Sequence, residues 1–182
     1  MTLKNQITEE TQCWLKTTII GLNFCPFAKR EDSQNTIRYA VSNATDLESN
    51  LHILAEEFQH LDNHADTETS LIMFSHSVQD FEDFLELIDY ANRLLDDLGY
   101  RAVYQLAHFH PDYCFDGVEP EDASNYTNRS PYPTLHLIRE LSMQRAIDSH
   151  PDTAQIPNNN IKLARELGAE HLQSLLDTCK ET

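Results

Sequence analysis

Positive charge is scarce in this chain. Thirteen Lys and Arg stand against thirty Asp and Glu in 182 residues, a formal charge of -17. That balance disfavours non-specific attraction to a phosphate backbone, so nucleic acid is not an expected partner. Long apolar runs are also missing. No stretch approaches the roughly 20 residues of a membrane span, which argues against a membrane partner. The N-terminus has no basic segment followed by an apolar run, so no secretory signal is expected. The four cysteines, at 13, 25, 114 and 179, are widely spaced and form no CxxC pair. They read as free thiols in a reducing cytosol. Several motifs are absent too: GxGxxG after a strand, GxxxxGKS/T, GxSxG, HExxH and the HxE…PCxxC pair. Dinucleotide, P-loop, serine-hydrolase, zincin and zinc-deaminase chemistries therefore lack support.

What is present suits one folded domain over 1–182. Hydrophobic residues make up 40% of the chain, enough for a core at this length. The negative charge is concentrated: residues 44–100 hold fourteen Asp and Glu and one basic residue, Arg93. A solvated surface explains this. A docking face for a basic partner is the other reading, and it keeps a non-catalytic acidic binding or interaction domain open.

Periodicity supplies the elements. Residues 5–20 read as a helix stopped by Gly21. Cys25-Pro26 suits the start of a short helix. Residues 36–42 alternate as a strand. Thr45 and Glu48 form a capping-box pattern before the stripe Leu47, Leu51, Leu54, Phe58 and Leu61. Residues 69–75 form an apolar run that suits a strand buried on both faces. Asp80 caps a helix striped by Phe84, Ile88, Ala91 and Leu95 and ended by Gly99. A third strand follows over 101–109. Crossover helices of this length join parallel neighbours. The expected fold is α/β: a small, mainly parallel sheet with helical cover. It has a strand-helix-strand-helix-strand centre and N- and C-terminal helices. A ferredoxin-like sheet needs one more strand, from 112–120 or from 21–35. After a long functional loop over 110–130, Ser130 caps a helix with Pro131 at its first position, running to about residue 149. Its one side carries His136, Glu140, Met143 and Ile147.

Candidate chemistry gathers around that loop. His108 and His110 share one face of a continuing strand, with Asp112 close behind. Two histidines and a carboxylate make a metal set, written as His110, His136 and Asp112 or Asp116. Asn128 and Arg129, arriving before a helix N-terminus at Ser130, make an acceptor for an anionic small molecule. The alternative for Arg129 is an ion pair with Asp112, Asp116 or Glu119. Cys25 and His110 suit a thiol–imidazole pair, with Asp112 or Asn128 orienting the imidazole. For Cys25 the alternative is a buried small hydrophobe.

Three segments carry a resemblance: GLNFCPFAKR at 21–30, FHPDYCFDG at 109–117 and NYTNRSPYPTLHLIRE at 125–140. They resemble the bacterial domain-of-unknown-function family 1415, over roughly residues 8–168. The resemblance implies no established activity. It does imply that Asn23, Cys25, His110, Asp112, Asn128, Arg129, Ser130, Tyr132 and His136 belong to shared signatures, which favours one composite pocket. It also implies a soluble bacterial cytoplasmic setting. The expectation is a small-molecule enzyme acting on an anionic substrate, as a thiol-dependent hydrolase or transferase. Cys25, His110 and Asp112 are its catalytic candidates; Asn23, Asn128, Arg129, Ser130, Tyr132 and His136 are its substrate-binding ones. No cofactor is specified. The alternatives are a metal-dependent enzyme and the non-catalytic acidic domain.

Overall fold

Local signals set the helices, and long-range strand pairing decides how they are arranged. A computed structural model of the chain describes residues 2–149 and 152–180. Helix α1 spans Leu3–Trp14 and runs without a break into a π-helical segment, Leu15–Ile20. Short α2 covers Ala28–Gln34. Then β1 (Ile37–Ser42), α3 (Leu47–Asn63), β2 (Thr69–Phe74), α4 (Phe81–Asp97) and β3 (Tyr104–Phe109) alternate as the sequence pattern predicts. After the long loop come β4 (Thr134–Arg139), α5 (Glu140–Ser149), α6 (Ile156–Leu167) and α7 (Ala169–Lys180).

The expected mainly parallel sheet is not what forms. The order is β1-β2-β4-β3; β1 and β2 pair in parallel, while β4 pairs antiparallel with both β2 and β3. Strands β1, β2 and β3 do share one direction, as crossover helices require. A reversed strand is wedged between the last two and makes the sheet mostly antiparallel. That strand comes from the segment expected to be a helix starting at Ser130. Pro131 and Pro133 suit a first helical turn, but they also suit a strand entry, where a missing N–H is tolerated. The alternation of TLHLIR then prevails. Leu135 and Leu137 face α3 and α4 with no exposed surface. His136 and Ile138 point to the other face. The fourth strand therefore comes neither from 112–120 nor from 21–35.

Smaller shifts have local causes. The N-cap of α3 is Asp46, one residue after Thr45, and its carboxylate accepts from both the backbone N–H and the hydroxyl of Ser49. Asp80 caps α4 as expected, accepting from the Glu82 N–H at 2.9 Å. Strand β3 starts at Tyr104, because Ala102 adopts a left-handed backbone with φ of 61° and ends the preceding turn. Nor are all four cysteines free: Cys13 and Cys179 are bonded, joining α1 to α7 across 166 residues. Cys25 and Cys114 are free.

One face of the sheet is sealed by α3 and α4. Leu54, Phe58, Leu61, Phe84 and Ala91 meet Ile72, Phe74, Leu135 and Leu137 there. Its buried polar groups are paired. Glu57 accepts two bonds from Arg38 and one from Ser70, which hold its carboxyl below the usual range despite burial. The opposite face is covered by α1, the π-helical segment, α6 and α7.

A helical 134–139 segment would leave β2 and β3 without their shared partner, so core truncation separates the two assignments. Leu135→Ala and Leu137→Ala are each expected to cost about 2–5 kcal/mol in urea unfolding. Leu141→Ala, at a site 64% exposed, is expected to change stability by less than about 0.5 kcal/mol. Equal small effects at all three would contradict the inward strand.

Candidate functional site

The sheet face opposite α3 and α4 is not fully filled. Beneath the π-helical segment lies a cavity of about 140 Å³, walled by Trp14, Ile19, Leu71, Phe109, Ile138 and Met143 among others. Its polar lining residues are Cys25, Glu31, Glu68, Thr69, His136 and Ser142.

The π-helical segment shapes one wall. Its wide turn carries Leu15 and Ile19 into the cavity, and Gly21 closes it by donating to Lys16 O at 3.0 Å. Gly21 is held by contact rather than by a left-handed turn: a Cβ there would stand 2.2 Å from Thr17 O. Segments of this kind recur at functional sites. Nothing in the 5–20 periodicity distinguishes it from ordinary helix.

The next turn presents Cys25. Phe24 and Cys25 both donate their N–H to Ile19 O, and Asn23 takes a left-handed backbone with φ of 57°. Asn23 is exposed and lines no wall of the cavity. Its visible role is the turn, which Asn tolerates better than most residues. Asn160 of α6 donates to Phe24 O at 2.7 Å and holds the turn from outside. The backbone N–H groups of Phe27 and Ala28 point at the Cys25 sulfur and favour the thiolate. Burial opposes them and is the larger effect, so the thiol is pushed up from its ordinary value. Helix α2 starts at Ala28, two residues beyond the expected proline start.

His136 reaches the same cavity from β4. Thr69 Oγ1 lies 2.7 Å from its Nε2, and the same hydroxyl donates to Leu137 O. A hydroxyl has one hydrogen, so with that committed Nε2 must be the protonated nitrogen. Nδ1 then carries the lone pair. Among the described residues it has no hydrogen-bond partner, and His136 is part of the cavity lining. Desolvation pushes the imidazole down to about 4.

His110 is placed elsewhere. It is fully buried against Phe81 and Phe84 of α4, on the other face of the sheet from Cys25 and His136. Its Nε2 donates to Val78 O and its Nδ1 accepts from the Asp112 N–H, so both nitrogens are used. The structure therefore does not bring Cys25 and His110 together, and His110 is a pin between the long loop and the β2–α4 turn. Asp112 and Asp116 are exposed. His110, His136, Asp112 and Asp116 do not converge. Among the described residues no group of three or more His, Cys, Asp or Glu is placed to hold a metal ion.

The anion acceptor loses its helix, since Ser130 precedes a strand. Arg129 is also occupied, though not by Asp112, Asp116 or Glu119. It donates to Tyr113 O and Pro120 O and lies over the Tyr126 ring at 4.4 Å. Asn128 donates to His108 O, and Ser130 donates to Tyr132 O. Two of these signature residues support the cavity indirectly. Arg129 O accepts from the Trp14 indole at 3.0 Å, and the Tyr132 hydroxyl donates to buried Glu10. Sequence reasoning missed Trp14, Thr69 and Asn125. Asn125, fully buried, ties the long loop to itself through Phe115 N, Glu119 O and Pro120 O.

A protein-family model described as "Protein of unknown function (DUF1415)" matches residues 6–174. No curated protein and no solved structure matches the chain. No helix among the described residues is long and apolar enough to cross a membrane.

Two outcomes follow from this geometry. His136 is depressed in the folded state, so the unfolded chain takes up its proton first as pH falls. The stability held by neutral His136 is complete above about 6.5 and is lost as pH falls towards about 4. Between pH 7 and 4, the wild type is expected to lose up to about 3 kcal/mol more than His136→Gln. Parallel denaturation curves for the two proteins would contradict a buried neutral imidazole. Gly21→Ala is expected to lower stability by about 1–3 kcal/mol and to speed alkylation of Cys25 as the π turn opens. An unchanged melting temperature would contradict the contact at Thr17.

Proposed function

Since the chain belongs to the DUF1415 family, whose description assigns no activity, we propose a function from the cavity itself: a thiol-dependent enzyme acting on a small, uncharged, largely apolar molecule. The observation that carries this is that Cys25 and His136 line one largely apolar cavity, with Thr69 at Nε2 of the imidazole. Cys25 is the nucleophile. His136 takes the base role first expected of His110, and Thr69 is the residue that positions its ring. Neither group is charged at rest. Burial raises the thiol and lowers the imidazole, so proton transfer in the resting cavity is uphill. The proton must therefore leave Sγ for Nδ1 as the bond from sulfur to substrate forms, not before it.

An anionic substrate is not favoured. No Lys or Arg lines the cavity, and Glu31 and Glu68 do. An anion there would be desolvated beside like charge. A second reading, non-covalent binding of the same class of molecule, is supported by the protonated thiol. The two separate on one experiment, in which p-nitrophenyl butanoate is added and acyl adducts are followed by intact mass. The enzyme reading expects an adduct on Cys25 and turnover that is lost in Cys25→Ala and reduced about 10²–10⁴-fold in His136→Gln. Its rate is expected to fall on the acid side near pH 4, where His136 protonates. An acid limb near 6.5 would rule out buried His136 as the base, and full turnover in Cys25→Ala would leave only the binding reading.

A further inference from the structure

Cys25 does not lie at the end of its cavity. A second cavity of about 320 Å³ adjoins the first, and the two share Ile19, Cys25 and Phe109 in their walls. Their linings differ in character. The first is largely apolar around Cys25, with Leu71, Ile138 and Met143, though Glu31 and Glu68 also line it. The second adds Thr127, Asn128 and Asn160 to Phe24 and Phe115 and, among the described residues, has no charged side chain. The first is close in size to a 150 Å³ protein cavity that accommodates benzene, so it takes a group of about six carbons.

We infer that the substrate is an acyl compound that spans both cavities across Cys25, with a short aliphatic or aromatic acyl group in the first and an uncharged polar leaving group in the second. This rests on the thiol-dependent reading above and adds the substrate class. The carbonyl carbon is seated at the shared wall. Sγ bonds to that carbon as its proton passes to His136 Nδ1. The carbon–oxygen bond to the leaving alcohol breaks, and the alcohol takes that proton. Water then adds to the acyl-thioester and releases the carboxylic acid, restoring the thiol. The mixed lining explains why Cys25 sits where it does: apolar surface on one side buries the acyl chain, and amide and hydroxyl groups on the other meet the head.

The test is acylation of Cys25 by p-nitrophenyl acetate, butanoate, hexanoate and dodecanoate. It is read by mass spectrometry of the Cys25 peptide, each rate being divided by that for free glutathione. Buried methylenes favour binding by about fourfold each. The normalised rate is expected to rise at least tenfold from acetate to hexanoate and to fall again at dodecanoate. Ile138→Phe, which narrows the first cavity, is expected to slow hexanoate acylation at least tenfold more than acetate acylation. A hexanoyl ester with an anionic 4-carboxyphenyl leaving group is expected to react at least tenfold more slowly than the neutral ester on the same scale. If Ile138→Phe fails to fold, the wild-type chain-length profile decides alone. A profile flat from acetate to dodecanoate overturns the two-cavity assignment and leaves the thiol enzyme standing. Iodoacetamide labelling of Cys25 without acylation by any ester overturns both.

Discussion

The structure depends on one reversed strand. Strands β2 and β3 run in the same direction, and each gives one edge to β4. Without it both edges carry unpaired N–H and C=O groups in the interior, which a core does not tolerate. Two prolines precede the strand, and Phe74 N donates to Pro133 O at 2.9 Å, so the entry is paired where the proline has a carbonyl to give. Everything that defines the cavity follows from this insertion. It places His136 beside Leu71 and Ala107 in the register and brings Thr69 to its ring.

The two faces of the sheet are used differently. Towards α3 and α4, apolar side chains fill the space and the buried charges are matched, as Glu57 is by Arg38 and Ser70. The acidic excess of residues 44–100 stays outside this core: only Glu57 is buried among those fourteen carboxylates, and Glu68 is half-buried. Net charge therefore describes the solvated surface and says little about the lining of the cavity. On the other face, the π-helical turn and the Cys25 turn leave room that no side chain fills. Trp14 and Tyr132 brace that room through Arg129 O and Glu10. Arg129 and Tyr132 of the late signature segment thus support the first helix across the sheet.

Much of this was legible locally. The stripes of α3 and α4, the Asp80 cap and the three alternating strands each depend on residues a few positions apart. The fourth strand was not, because Ser130, Pro131 and Pro133 satisfy the rules for a helix start while TLHLIR satisfies those for a strand. Only pairing with β2 and β3, some sixty and thirty residues earlier in the chain, resolves the conflict. The candidate site suffered from the same step. A helical 134–149 turns His136 towards Glu140 and Met143. A strand turns it across the sheet from His110, whose burial and two hydrogen bonds no spacing rule reveals. The shared signature mixes residues that line the cavity, such as Cys25 and His136, with residues that fix the loop, such as Arg129.

That mixture has a physical reason. A loop of twenty-odd residues cannot hold a cavity wall unless its own backbone polar groups are satisfied. Asn125 and Arg129 bind carbonyls of the loop, Asp122 holds Arg165 of α6, and Tyr126 reaches Gln173 of α7. These contacts anchor the loop to the two C-terminal helices, while His110 anchors its start to the other face of the sheet. The Cys13–Cys179 bond then ties α7 back to α1, the helix that carries Trp14 into the cavity. Loop, C-terminal helices and first helix form a closed mechanical circuit around Cys25. A change in any link therefore reaches the cavity through backbone position rather than through direct contact, which is why polar residues remote from the thiol matter to its setting.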